Sequence, residues 1–397
     1  MMQLADRMTS SQDAGLGNLL AAPRKNQVSL AGGLPDPALF PQAELGRAFN
    51  ATLTSSTDVL QYANAAGFEP LRAQLAERLR ADNVPATTDN VMLTQGAQQA
   101  LDLVGRLVLD PGVRVIVEGP TYPGALAALG TYQPEFCTVP VQQDGMDMTV
   151  LAKTLAEGNV RLIYTVPDFQ NPTGTVMSLA KRQQLLTLAR QYDVLVLEDA
   201  PYRALRYQGT TLPTLRELDT DDHVLHVESF SKILAPGLRL GWMTGSQDLI
   251  NRLTELKSNS DLESSTLTQR AVSEYLRTNS LDDHIARLRK VYARKMAMMV
   301  TTLQASLPQG AVCSAPDGGF FIWVELPADV NTEDILASVR DDVTFVPSTT
   351  LYPDHQTKNG MRLAFTNPDL NALKRGCKAL AKGITDAMHT PVAQMAI

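Results

Sequence analysis

The chain has 397 residues, enough for one large or two medium domains with a substantial core. With 44% hydrophobic and 19% charged residues it has the composition of a globular protein, and 35 Lys+Arg against 42 Asp+Glu leave a formal charge of -7. A mildly acidic chain without basic runs is a poor nucleic-acid binder, and three widely spaced cysteines, Cys137, Cys313 and Cys377, argue against a disulfide framework and fit a reducing compartment.

The first thirty or so residues are weakly patterned and read as an arm with a short helix. Their start has no apolar core of a secretory signal, and no apolar run in the chain reaches membrane-spanning length, so the cytoplasm is the expected location. From about residue 70 to 250, short β-rich runs alternate with helical stretches. Val91 to Thr94 reads as a strand and Gly96 to Val108 as a helix. Strands follow at Val113 to Val117 and Arg161 to Val166. Ser178 caps a helix that runs to about Tyr192, with Leu185, Leu188 and Ala189 on one face. Val194 to Leu197 and Val224 to Val227 are further strands. Leu238 to Thr244 is another, running the other way because only a short turn precedes it. This alternation predicts a mostly parallel sheet with helices on both faces. Beyond residue 285 a long basic helix (Ile285 to Leu307) leads to strands at Gly318 to Val324, Val343 to Val346 and Met361 to Phe365, then a last helix from Leu370 to about Met388. This reads as a smaller α+β unit.

Parallel-sheet enzymes put their chemistry at the carboxyl ends of strands, and the polar signals of this chain fall there. After the first strand, Gly96 permits close backbone approach at a helix N-terminus that favours phosphate; alone, it is also a plain turn. After the second, Tyr122 lies between prolines, either a stacking platform or a turn aromatic. After the third comes Asn171-Pro172-Thr173-Gly174, a common turn unless Asn171 donates to a phenolic oxygen. After the fourth, Asp199 ends an apolar run. Buried, it needs a partner such as a protonated pyridine nitrogen; the plainer reading is a helix N-cap. After the fifth lies Ser229-Phe230-Ser231-Lys232, with Arg239 seven residues on. A lysine amine condenses with carbonyls, and hydroxyls with an arginine bind phosphate; pyridoxal phosphate (PLP) offers both an aldehyde and a phosphate. His223 and His226 flank one strand and read as structural, with no metal expected.

Taken in order, these motifs resemble the fold-type-I PLP-dependent aminotransferases of class I/II. The likeness extends to Tyr62 before Gly67-Phe68-Glu69-Pro70 and to Arg362 in Gly360-Met361-Arg362-Leu363. Ala31-Gly32-Gly33-Leu34-Pro35, Phe169-Gln170-Asn171-Pro172 and Asp317-Gly318-Gly319-Phe320 look like the branch of 2-aminoadipate and broad-specificity aminotransferases. The resemblance implies an α/β fold. A large domain over 50–285 would carry a mostly parallel sheet of about seven strands, and 1–49 with 286–397 would form a small domain with an N-terminal arm. It implies PLP as cofactor, covalently carried by Lys232, which also shuttles a proton. Asp199 would pair with the pyridine nitrogen. Asn171 and Tyr202 would contact the ring hydroxyl, and Tyr122 would stack on the ring. Gly96, Ala97, Gln98, Ser229, Ser231 and Arg239 would hold the phosphate, with Tyr62 reaching in from a second subunit of a homodimer. Arg362 would clamp the substrate α-carboxylate, with Asn171 and Gly33 lining the same pocket.

The expected activity is amino transfer between an L-amino acid and a 2-oxo acid with ping-pong kinetics. Two departures matter. Ala97 stands where many relatives place a hydroxyl residue. The stretch Gln12 to Asn18, where relatives taking acidic substrates have an arginine, carries Asp13 instead. The expected donor therefore has a neutral or basic side chain, with weak activity on aminoadipate, unless Arg7 or Arg24 serves. Other PLP chemistry, such as elimination or a specialised biosynthetic step, would use the same residues. A PLP-binding regulator would need an N-terminal DNA-binding domain, for which the 32 residues before Gly33 leave no room.

Overall fold

The computed structural model describes residues 26–389 together with Ala5 and Arg24. A two-residue strand, β1 (Val28–Ser29), comes first. The main sheet follows: β2 (Val91–Thr94), β3 (Arg114–Gly119), β4 (Glu135–Gln142), β5 (Gly145–Met146), β6 (Val160–Thr165), β7 (Leu195–Asp199), β8 (Val224–Ser229) and β9 (Gly241–Thr244). Then come β10 (Val312–Cys313), β11 (Phe321–Glu325), β12 (Val343–Thr344), β13 (Val346–Pro347) and β14 (Gly360–Ala364).

The main sheet has the order β2-β9-β8-β7-β6-β3-β4-β5. Its central strands are almost wholly buried, as the continuous apolar runs require of a parallel sheet covered on both faces. β9 runs antiparallel to both β8 and β2, because residues 230–240 hold only a short helical turn and no crossover helix. The sheet has an eighth strand beyond the seven expected. β5 turns back on β4 through Gly145, at φ +111, and pairs Val141 with Met146. β4 itself escaped the sequence reading. It alternates in burial and contains Pro140, which is tolerated because β5 pairs only with Val141 and Gln142 and leaves the outer side of Glu135 to Pro140 without a partner strand.

β10-β11-β14-β13 form a second, antiparallel sheet. The strand expected at 343–346 divides between two sheets. Val343–Thr344 pairs with β1, and Val346–Pro347 pairs with β14 at Arg362 and Met361. The helix expected from Ile285 starts earlier, at Leu281, where Ser280 accepts from the Asp283 N–H. The helices Gly96–Val108 and Leu179–Tyr192 lie where the apolar spacing put them, the second capped by Ser178. Among the described residues no helix is long and apolar enough to cross a membrane.

Leu197 sits at the centre of the main sheet with no exposed surface. Leu197→Ala should cost about 2–5 kcal/mol of stability, read as a lower urea midpoint for the cofactor-free protein.

Candidate active site

Loops at the carboxyl ends of β2, β3, β6, β7 and β8 converge on a cavity of about 560 Å³. The segment after β1, with β11 and β14, closes it from the side of the second sheet. Parallel strands end together, so each turn delivers its side chains to one place.

Lys232 lies in the turn after β8. Its Nζ donates to the Gly33 carbonyl at 2.7 Å and lies 5.5 Å from the centre of the Phe320 ring. Burial, with Arg362 and Arg239 adding like charge, lowers its amine to about 8 against the pull of Asp199. Asp199 ends β7 and is 2% exposed. Its Oδ2 accepts from the Tyr164 hydroxyl at 2.8 Å, and its Oδ1 has no partner among the described residues. Burial raises the carboxyl to about 6, although Tyr164, His226 and Lys232 pull it down. The helix-capping alternative falls to its neighbour. Glu198, on the opposite face of β7, accepts from the Leu215 and Arg216 N–H groups at 2.8 and 3.0 Å. It also meets His226 at 2.8 Å, while the other ring nitrogen of His226 meets Glu228 at 2.9 Å.

At the opposite end of the cavity, Gly96 adopts φ +72, and a Cβ there would stand 2.9 Å from Arg239 Nη2. Arg239 is itself left-handed, at φ 48 after the turn Pro236–Leu238. This conformation sends its guanidinium back to the Gln95 carbonyl at 3.2 Å. Ala97 and Gln98 begin the helix Gly96–Val108, whose first N–H groups are free to bind an anion. Ser229 Oγ donates to Ser231 Oγ at 2.9 Å, so the two hydroxyls stand side by side. Tyr122 donates to Gln98 Oε1 at 3.4 Å and lies over Gly124, where a Cβ would meet its ring at 2.3 Å.

Arg362 reaches the cavity from β14. It is 2% exposed, donates to Asn171 Oδ1 at 3.0 Å and to the Ala31 carbonyl at 2.6 Å, and lies 4.4 Å from the centre of the Phe321 ring. Burial lowers it to about 10. Because Arg362 occupies Asn171 Oδ1, the Asn171 amide nitrogen is left to donate. Tyr202 packs edge-on against Phe321, 5.6 Å between ring centres, and burial pushes its hydroxyl well above the ordinary range. Gly33 has no space for a side chain, since a Cβ would stand 2.7 Å from Phe321 Cζ.

The residues expected from a single chain thus assemble, and Tyr62 is expected to serve a second subunit. Tyr62 is 75% exposed and does not line the cavity of its own chain. Asp13 and Arg7 lie outside the described residues. Arg24 forms an exposed ion pair with Asp341 at 2.8 Å, a solvated charge. Sequence reading missed Tyr164 and Phe321. Tyr164 sits inside an apolar strand run, and only the pairing of β6 with β7, Tyr164 opposite Leu197, brings it beside Asp199.

The charges of the cavity specify a ligand. Its lining holds Lys232, Arg239 and Arg362 against one carboxylate, Asp199. Neither arginine has an acid partner among the described residues. Arg362 is buried without an anion, which is costly, and the exposed Arg239 also lacks one, so the cavity suits a ligand with two anionic groups. The orphaned Asp199 Oδ1 asks for a donor between them. PLP with an amino acid fits: a phosphate at the Gly96–Arg239 cradle, a ring N–H at Asp199, an aldehyde at Lys232 and a carboxylate at Arg362.

Comparison with known proteins agrees. The family described as aminotransferase class I and II matches residues 26–380. The chain is 37% identical over 369 residues to the aromatic-amino-acid aminotransferase 1 of Thermococcus litoralis, covering 91% of this chain and 88% of that one. It is 34% identical over 366 residues to the 2-aminoadipate transaminase of Thermus thermophilus, with 91% of each covered. Its fold matches that of Pyrococcus horikoshii kynurenine aminotransferase in complex with PMP with a TM-score of 0.93, at 36% identity and 98% coverage of both chains.

An amine at about 8 is a nucleophile at neutral pH. Labelling of Lys232 in the cofactor-free protein by a small aldehyde and borohydride should rise about fivefold from pH 7 to 8 and level off above about pH 9. An ordinary lysine would still be rising. Peptide mass mapping reads the site.

Proposed function

The chain belongs to the class I and II aminotransferases, and we propose that its amino donors are L-amino acids with neutral side chains, aromatic ones included. It is a PLP-dependent enzyme that moves an amino group between an amino acid and a 2-oxo acid. The observation that carries the donor reading is the charge count of the cavity. The three lining cations each have a task, so none is left for a distal carboxylate, while Tyr122, Tyr202 and Phe321 offer aromatic walls. The expectation of a neutral or basic donor rests on the arginine-free stretch Gln12 to Asn18 with its Asp13, which lies outside the described residues.

When bound, PLP supplies an aldehyde that condenses with amines and a cationic ring that delocalises the electron pair left by a departing proton. In our assignment Lys232 would hold the aldehyde of PLP, and its amine, lowered by burial, would accept and return the substrate proton. Asp199 Oδ1 would accept the ring N–H and so favour the charged ring. Asn171 and Tyr202 would meet the ring hydroxyl, and Tyr122 would cover the ring face. The N–H groups of Gly96, Ala97 and Gln98, with Ser229, Ser231 and Arg239, hold the phosphate. Arg362 grips the α-carboxylate beside Gly33. Both half-reactions use one cavity, which predicts ping-pong kinetics.

The protein acts, on this reading, as a cytoplasmic homodimer in which Tyr62 of one copy completes the phosphate site of the other. The exposed apolar side chains Leu53, Leu60, Tyr62 and Leu262 support it. Residues 50–285 act as the cofactor-bearing domain, and 1–49 with 286–397 as the smaller one. In support, the main sheet lies within 91–244 and the second within 312–364.

Purified protein reconstituted with PLP should be yellow, and borohydride should fix the cofactor on the peptide containing Lys232. Lys232→Ala should be inactive; full activity in that variant would end the assignment. Screening donors with 2-oxoglutarate should rank aromatic and neutral amino acids above aminoadipate, the reverse order overturning the donor reading. Arg362→Leu should raise KM for the amino acid about a hundredfold through loss of charge-assisted hydrogen bonds, and Asp199→Asn should lower kcat about a hundredfold or more.

A further inference from the structure

Two turns that carry ring-facing residues are joined by one buried side chain. Gln170 is 2% exposed and precedes Asn171. Its Nε2 donates to the Pro120 carbonyl at 2.8 Å and to Glu118 Oε2 at 3.1 Å, both in the segment leading to Tyr122. Its Oε1 accepts from the Thr173 N–H at 2.9 Å and from Thr173 Oγ1 at 2.7 Å, within its own turn. Its main chain is fixed as well, bonded to Thr175 and Gly174 at 2.9 and 2.7 Å. Glu118 is the far anchor. It is 1% exposed, and it accepts from Thr165 Oγ1 at 2.7 Å and from the Val166 N–H at 3.2 Å, at the end of β6. Neither Gln170 nor Glu118 lines the cavity.

An amide has two donors and two acceptor sites, and here both ends are fully used across the two turns. The four bonds are satisfied together at one separation of the turns. Any drift leaves the Pro120 carbonyl or the Thr173 N–H unpaired in a dry place. Tyr122 follows Pro120 by two residues and Asn171 follows Gln170 directly, so that separation is also the gap between ring platform and amide donor. Asn171 in turn receives Arg362, so the register passes on to the second sheet.

We propose that Gln170, anchored on Glu118, is a positioning residue that sets the spacing of Tyr122 and Asn171 and so the cleft that receives the cofactor ring. This rests on the reading that Tyr122 and Asn171 face that ring. Gln170→Met keeps the volume and removes the polar bridge; Gln170→Glu keeps the shape and sets a carboxylate against the Pro120 carbonyl and Glu118. With PLP as the probe, both variants should bind it about tenfold more weakly. The visible circular dichroism per bound cofactor should weaken, and kcat at saturating PLP should fall about tenfold. Variants that merely melt at lower temperature, with PLP affinity and visible circular dichroism unchanged, would overturn the proposal. Tyr122→Leu and Asn171→Ala separate the two readings. If they alter both PLP readouts while the Gln170 variants do not, the positioning role alone fails. If they alter neither, the ring-site reading fails and the positioning role falls with it.

Discussion

Charge buried without its counter-charge is the constraint on which this protein depends. Asp199 and Arg362 are buried and Lys232 is half-buried, and none has a full complement of partners among the described residues. Each titrates away from its ordinary value because burial penalises its charged form. A folded core would not retain such groups for stability, since apolar residues of similar size would serve better. They suit a ligand that brings the charges they lack.

The fold makes this arrangement possible by separating the two faces of one strand. Along β7, Glu198 and Asp199 are adjacent, yet they point in opposite directions. Glu198 meets a full set of donors, with two backbone N–H groups and His226, and is held to about 2 despite burial, chiefly by His226. Asp199 meets one hydroxyl. The first carboxylate ties the sheet to the short helix Leu215–Leu218, and the second faces the cavity with an oxygen that has no partner among the described residues. A single period-two alternation divides structural from chemical work.

The second sheet adds what the main sheet lacks. Arg362 lies at the middle of β14, paired with Trp323 of β11 and Val346 of β13, so its backbone is fixed on both sides. The segment from Ala31 to Asp36 crosses between the sheets. Ala31 accepts from Arg362, Gly33 from Lys232, and Asp36 meets Lys295 at 2.8 Å. A short stretch therefore carries contacts to both Lys232 and Arg362, and Gly33 is required because Phe321 leaves no volume for a side chain.

The strand runs, the helix Gly96–Val108, the cap at Ser178 and the polar residues ending each strand were legible in the sequence, because apolar period and turn chemistry are local properties. The lysine and the aspartate could be named for the same reason, since each follows or ends an apolar run; Arg239 was read with the serine-lysine motif, and Arg362 only through the family resemblance. Strand pairing was not legible. The split of 343–347 between two sheets, the short β5 and the approach of Tyr164 to Asp199 depend on which strands adjoin and in what register. Nor could the sequence tell Glu198 from Asp199 as the capping carboxylate, or show that Gln170 bridges two turns. Those outcomes arise from contacts between residues far apart in the chain, and only the folded arrangement fixes their distances.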